Sequence, residues 1–162
     1  MKASRIALAL ILALAATAAL AQSPFHKSLD AIKSLSGEWA GTSPEGPVEV
    51  SFRVVSAGSA VLSEINHENM VSMFHLDGDR LLLTHYCAVG NQPRLQGSAS
   101  PDGKTITFVF LDATNVLPSQ PTLMHRVVIT LIDANHHTEQ WTALKGIEEH
   151  TTTFDLHRKK PV

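Results

Sequence analysis

Cysteine is almost absent from this sequence, which has Cys87 alone among 162 residues. One thiol cannot form an intramolecular disulfide, so a small disulfide-stapled scaffold is excluded. The stability of the folded chain must therefore come from its hydrophobic core. Two interpretations of Cys87 stay open, a small buried hydrophobe or a ligand or reactive thiol.

Basic residues are also few: the sequence has 13 lysines and arginines against 15 acidic residues. The one short basic run, Arg158-Lys159-Lys160, is typical of a solvated C-terminus. Two basic residues, Lys2 and Arg5, precede residue 22, so the chain from residue 22 onward has 11 basic and 15 acidic residues and a net charge of −4. No basic patch indicates a nucleic-acid partner.

Long hydrophobic runs are confined to the first 21 residues. Lys2 and Arg5 form a positive n-region, the apolar run 6–16 follows, and Ala19-Leu20-Ala21 is a small-x-small cleavage site. This pattern predicts a signal peptide cleaved after Ala21, a secreted or periplasmic protein, and no membrane association after cleavage. The alternative, a membrane anchor, needs about 20 apolar residues, which is longer than this run.

Catalytic motifs are missing as well. The sequence has no Gly-x-Ser-x-Gly elbow, no glycine-rich phosphate loop, no dinucleotide fingerprint, and no His-Glu-x-x-His or Cys-x-x-Cys pair. An enzyme is therefore not predicted, although a nucleophile pair of Cys87 with His85 or His125 stays open.

What is present is one short helical pattern followed by many strand patterns, all within a single predicted domain, residues 22–162. The helix is predicted from Ser23-Pro24 to Ser36-Gly37, where glycine suits a C-cap. Turn residues separate ten segments that are rich in β-branched, aromatic and leucine residues. These predicted strands cover residues 38–42, 48–55, 60–66, 69–76, 80–87, 94–99, 104–111, 123–132, 137–145 and 147–157. So many short strands joined by tight turns predict an all-β fold, a single antiparallel up-and-down β-barrel of about ten strands with a short N-terminal helix.

The start of the first strand resembles the opening of the calycin-type barrels. Gly37-Glu38-Trp39 follows the helix directly and gives the Gly-x-Trp motif of that superfamily, which includes lipocalins, fatty-acid-binding proteins and nitrobindin-like ten-stranded barrels. The resemblance implies that Trp39 lies at the base of the barrel. It also implies that an arginine near the end of the last strand, here Arg158, lies across the indole ring.

A second resemblance, to a family of secreted bacterial lipocalin-like proteins, covers most of the mature chain. It implies the compartment and the fold, and no activity. The nitrobindin-like barrels ligate haem through a histidine on a late strand, and His125, His150 and His157 are candidates, but none matches that motif residue by residue. The segments that carry the second resemblance are Phe74–Asp79, Thr84–Cys87, Gly90–Arg94, Thr114-Asn115 and Met124-His125.

The stretch from Phe74 to Arg94 predicts a polar patch inside the barrel. Side chains alternate along a strand, so His85 and Cys87 point to the same face. A turn at Gly90-Asn91 returns the chain, and pairing Cys87 with either residue 92 or residue 94 places Arg94 and Gln96 on that face. A few convergent polar groups in an apolar cavity are typical of a small-ligand site.

Three functions follow from this patch. The first is binding of a small, partly apolar molecule in the barrel. The second is a metal or haem site, which would be the only cofactor that the sequence indicates. The third is a filled barrel with no internal ligand that acts through its surface. The predicted ligand-binding residues are His85, Cys87, Arg94, Gln96, His125, Leu83 and Phe108, and the alternative metal ligands are His85, Cys87 and His125.

Overall fold

The computed structural model describes residues 24–65, 69–119 and 121–160. The predicted signal peptide, residues 1–21, and its cleavage site lie outside the described residues. Within the described ranges no helix is both long and apolar enough to cross a bilayer.

The described chain contains one α-helix and ten β-strands, and each predicted strand corresponds to an observed one. The helix, α1, spans Pro24–Lys33. The strands are β1 Gly37–Ser43, β2 Gly46–Val55, β3 Ala60–Ile65, β4 Met70–Asp77, β5 Arg80–Tyr86, β6 Gln92–Ala99, β7 Thr105–Thr114, β8 Thr122–Asp133, β9 His136–Lys145 and β10 Glu148–Arg158.

The ten strands form one closed antiparallel barrel, which confirms the predicted fold class. Each strand pairs with its neighbours in the chain, and β1 closes the barrel by pairing with β10. Closure leaves no strand edge unpaired, and alternating residues of each strand point inward. The position of a residue in its strand therefore decides whether its side chain can reach the interior.

Helix α1 covers one end of the barrel, which is called the closed end below. Its apolar residues Leu29 and Ile32 are buried, and the helix packs against β2, β4, β5 and β6. Beneath it the ring of Phe74 lies 6.4 Å from that of Phe52 and 5.5 Å from that of Phe108. Leu83 and Phe108 are fully buried in this layer, so they belong to a filled core at the closed end.

The predicted contact between Trp39 and Arg158 is confirmed. Trp39 is fully buried, and the guanidinium carbon of Arg158 lies 4.3 Å from the centre of its ring. The indole Nε1 donates to the carbonyl of Leu35 at 2.7 Å. Gly37 has a φ of +129°, and a Cβ there would lie 2.9 Å from the guanidinium of Arg158. The Gly-x-Trp motif therefore makes room for the arginine as well as placing the indole.

Arg158 also ties three parts of the closed end together. Its guanidinium donates to the carbonyls of Ser34, Ser36 and Ala134 at distances of 3.0, 2.6 and 3.0 Å. The first two follow the C-terminus of α1, where carbonyl oxygens lack helical partners and attract a cation. The last strand, the helix and the β8–β9 turn are thus joined by one side chain.

We expect the Arg158→Ala variant to lower the free energy of unfolding by about 1–2 kcal/mol. The substitution removes the cation–π contact with Trp39, and the three backbone carbonyls lose the guanidinium as their hydrogen-bond donor. Urea denaturation measures the change. The control is Arg53→Ala. Arg53 is exposed, and its ion pair with Glu64, at 3.4 Å, is a surface pair of the kind that contributes less than about 1 kcal/mol. Equal losses in the two variants would contradict the closing role of Arg158.

Candidate functional site

The turn between β5 and β6 has a register that differs from both of those predicted. Cys87 N–H donates to the carbonyl of Asn91 at 3.1 Å, and Gly90 N–H donates to the carbonyl of Cys87 at 2.8 Å. Thr84 therefore pairs with Arg94. A shift of one residue moves every side chain of a strand to the opposite face. The prediction that Arg94 and Gln96 share a face with His85 is therefore wrong.

Arg94 lies on the outer surface instead of in the interior. Its side chain is about half exposed, and it forms a two-pronged ion pair with Asp112 of β7, with Nε 2.6 Å from Oδ1. The hydrogen bond to Asp112 raises the pKa of Arg94, and the same bond lowers the pKa of Asp112. Gln96, two residues further on, is on the same outer face between Leu82 and Val109. Neither side chain can contact a ligand inside the barrel.

His85 does point inward, as predicted. Its imidazole is fully buried, and its Nδ1 lies 2.9 Å from the hydroxyl oxygen of Ser72 on β4. The other ring nitrogen, Nε2, is buried without a hydrogen-bond partner. Burial lowers the pKa of His85 from 6.5 to about 4, because the protonated ring would lose its hydration. At neutral pH the side chain is an uncharged polar group in an apolar interior.

The alternative metal site of His85, Cys87 and His125 is not formed. Cys87 is half-buried in the β5–β6 turn, and His125 lies in a bulge of β8, where its Nδ1 is 3.5 Å from a carboxylate oxygen of Glu149. Among the described residues a single group of three potential metal ligands lies close enough to share an ion, and it contains none of these three. The side chains of His85, Cys87 and His125 therefore do not lie close enough together to share one metal ion.

A buried polar cluster that the sequence analysis missed lies on β9. His137, Glu139 and Trp141 alternate along the strand and all point inward. The Nε2 of His137 lies 3.0 Å from Oε1 of Glu139, and the indole Nε1 of Trp141 donates to Oε2 at 2.8 Å. His137 and Glu139 are at most 1% exposed, so this carboxyl group is satisfied inside the barrel by its strand neighbours.

Trp141 connects this cluster to the other polar side of the interior. Its ring centre lies 5.1 Å from that of His85, and the ring of His137 lies edge-on to Trp39 at 4.2 Å. Ser72, His85, Trp141, Glu139 and His137 therefore form a continuous polar chain inside the barrel. Along β9 this chain runs from Trp141 near the open end to His137, which contacts Trp39 at the closed end.

The open end of the barrel contains a cavity of about 180 Å³, which is called the mouth cavity below. Trp141 forms part of its wall, so the polar chain reaches the cavity at this residue. The wall is largely apolar, and Glu45, His150 and Thr152 supply the polar groups at the rim. The remaining lining residues are Ile65, Met70, Met124, Ala143 and Phe154.

None of the predicted ligand-binding residues lines this cavity. The ring of Trp141 lies between His85 and the cavity. Leu83 and Phe108 belong to the filled core at the closed end, and neither Cys87 nor His125 is a lining residue. Most of the lining residues belong to two groups of strands, β3 and β4 on one side of the cavity and β8 to β10 on the other. Alternation along the predicted strand 137–145, which places His137, Glu139 and Trp141 on one face, was the sequence signal that could have found this cluster.

One comparison with a solved structure supports the fold. The chain is similar to the crystal structure of Rv2717c from M. tuberculosis with a TM-score of 0.54 and 17% identity, over 82% of this chain and 98% of that one. It also matches a redesigned β-barrel with a TM-score of 0.37 and 15% identity, over 80% and 96% of the two chains. No family model matches the sequence, and no curated protein is significantly similar to it.

Proposed function

We propose that this protein binds a small, largely apolar molecule in the mouth cavity. The observation that carries the proposal is a cavity walled by Trp141, two methionines, Phe154 and Ile65 at the one end of the barrel that the helix does not cover. Apolar concave sites with few polar groups are typical of small-molecule binding. The β-barrel fold is consistent with such a role.

The size of the cavity limits the ligand. Its volume of about 180 Å³ corresponds to roughly six water molecules at about 30 Å³ each. An apolar cavity of about 150 Å³ engineered into another protein binds benzene or xenon. The ligand is accordingly a molecule of few heavy atoms, or the terminal apolar group of a longer molecule that extends through the open end.

The charge at the rim limits the ligand further. Thr152 donates to the carboxylate of Glu45 at 3.2 Å, and His150 lies 3.8 Å from Glu148. No arginine in the described part of the chain offsets these carboxylates from inside the barrel, because Arg94, which was predicted to point inward beside His85, is on the outer surface. An anionic headgroup would be repelled at this rim, so the polar end of the ligand is a neutral or cationic hydrogen-bond donor.

Benzene is a suitable probe for the apolar part of the site. We expect benzene at ten times its dissociation constant to stabilise the wild-type protein by about 1.4 kcal/mol, because it binds the folded state alone. The Ala143→Leu variant fills the mouth cavity and should abolish this stabilisation. Differential scanning calorimetry with and without benzene measures both.

The matched control is Ala40→Leu, which adds the same side chain on the outer face of β1, opposite His157. This variant should keep the full response to benzene. A benzene response that survives in Ala143→Leu would contradict binding in the mouth cavity. Absence of any response in the wild-type protein would favour the third interpretation, a barrel that acts through its surface.

Native mass spectrometry of the protein purified from its own host identifies the physiological ligand. A bound organic mass is expected, whereas a haem mass would favour the cofactor alternative. The same spectrum tests the proposed secreted or periplasmic localisation. The n-region, the apolar run and the Ala19-Leu20-Ala21 site support an N-terminus at Gln22, and an intact Met1 would contradict it.

A further inference from the structure

We infer that the outer surface of β9 and β10 holds a divalent transition-metal site formed by His136, Asp155 and His157. His136 is the first residue of β9 and pairs directly with His157 of β10. Asp155 precedes His157 by two residues, so alternation places both side chains on the same outer face. The inference is independent of the mouth cavity, which lies at the opposite end of the barrel.

The three side chains are already close enough to share one ion. One potential ligand atom from each residue lies within 4.8 Å of the other two. Oδ1 of Asp155 is 2.7 Å from Nε2 of His136 and 3.7 Å from Nε2 of His157. Tetrahedral bonds of about 2.0–2.1 Å separate neighbouring ligand atoms by roughly 3.3 Å, so shifts of less than about 1 Å would complete the site.

The two imidazole rings are stacked on each other before any ion binds, so their spacing is set and a ring rotation would bring both lone pairs to one ion. Their centres are 4.1 Å apart, and the planes are inclined by 22°. The hydrogen bond from the His136 ring to Asp155 fixes one ring, and the β9–β10 ladder fixes the spacing of the other. This preorganisation reduces the entropy that an ion must overcome to gather its ligands.

The ligand chemistry determines the class of metal. Two imidazoles and one carboxylate suit Zn²⁺, Cu²⁺ or Ni²⁺ and are poor ligands for Ca²⁺, which takes six to eight oxygens. The side chains of Asp155 and His157 are 56% and 64% exposed, so water can fill the remaining coordination positions. Nearby on the same surface Lys159 is paired with Glu49 at 2.8 Å, which offsets the repulsion between that ammonium group and the ion.

A bound ion would link β9 to the last residues of β10, immediately before Arg158. That residue joins β10 to the helix, as described above, so the ion would reinforce the strand that closes the barrel. Since the ion binds the folded state, the apparent stability should rise with its concentration.

The test is calorimetric titration of the untagged protein with ZnCl₂ and with CuCl₂. We expect one ion per chain, tighter binding of Cu²⁺ than of Zn²⁺, and a loss of affinity of at least about tenfold in both His157→Ala and Asp155→Asn. These side chains are exposed, so both variants should fold. The ring NMR signals of His136 and His157 should change together on titration.

The chain offers a closely matched control in His150→Ala. His150 is also on β10, is 66% exposed, and has a carboxylate two residues before it at 3.8 Å, but it lacks a second imidazole opposite it. This variant should bind both metals as the wild type does. Failure of the wild type to bind either ion in a saturable way would overturn the inference. Equal losses in His150→Ala and His157→Ala would also overturn it.

Discussion

Replacing Glu139 with methionine is expected to lower the free energy of unfolding by about 2–6 kcal/mol. Methionine keeps the volume of the side chain but removes both acceptor oxygens. The Nε2 of His137 and the indole Nε1 of Trp141 then lose their partners inside the barrel. Each buried polar group left without a partner costs about 1–3 kcal/mol. Urea denaturation followed by tryptophan fluorescence measures the loss.

The control for this prediction is Glu139→Gln. The amide oxygen of glutamine can accept from Trp141, and its NH₂ can donate to His137 once that imidazole carries its hydrogen on Nδ1. The glutamine variant should therefore be more stable than the methionine variant by at least about 1 kcal/mol, the value of one net hydrogen bond. If the methionine variant is as stable as the wild type, the cluster on β9 contributes nothing to stability.

The fold could be predicted from the sequence because its signals are local. Turn residues interrupt ten segments of strand composition at nearly regular intervals, and an antiparallel order follows from the short connections. The position of Trp39 was implied by the resemblance of Gly37-Glu38-Trp39 to the opening of the calycin-type barrels. Strand ends were less accurate, as in β7, which was predicted to end at residue 111 and continues to Thr114.

The polar patch could not be predicted because it depended on the register of one turn. The two predicted registers, with Cys87 opposite residue 92 or 94, would pair Thr84 with residue 95 or 97. The observed partner of Thr84 is Arg94, so the predicted registers are wrong by one or three residues, which is an odd number. The sequence contains Gly90-Asn91 in either case, so turn composition alone does not distinguish them. The odd difference moved Arg94 from the interior to the surface, where Asp112 neutralises it.

The cluster on β9 was missed for a different reason. The predicted strand 137–145 places His137, Glu139 and Trp141 on one face, but both faces of this strand carry polar side chains, so composition did not indicate which face points inward. His137 is fully buried, because β9 starts at His136 and alternation turns the next residue inward. The start of the strand was predicted one residue late, which left His136 out of the sheet and so concealed its surface pair with His157.

His85 is expected to lower the free energy of unfolding by about 3 kcal/mol between pH 6.5 and pH 4, in addition to the loss from all other titrating groups. Burial holds the pKa of this imidazole at about 4 in the folded protein, against 6.5 in the unfolded chain. Above pH 6.5 the ring is neutral in both states and contributes no pH dependence. Below that pH the unfolded chain binds a proton that the folded protein does not, so unfolding becomes more favourable until about pH 4.

The His85→Gln variant isolates this contribution, because all carboxylates titrate equally in the variant and the wild type. Glutamine can still exchange a hydrogen bond with Ser72, so the variant should fold. Urea denaturation at half-unit steps from pH 7 to pH 4 should give a shallower decline in the free energy of unfolding for His85→Gln. The exposed His150→Gln variant should decline as the wild type does. Parallel curves for the wild type and His85→Gln would contradict the prediction, because they would mean that the imidazole is protonated as readily in the folded barrel as in the unfolded chain.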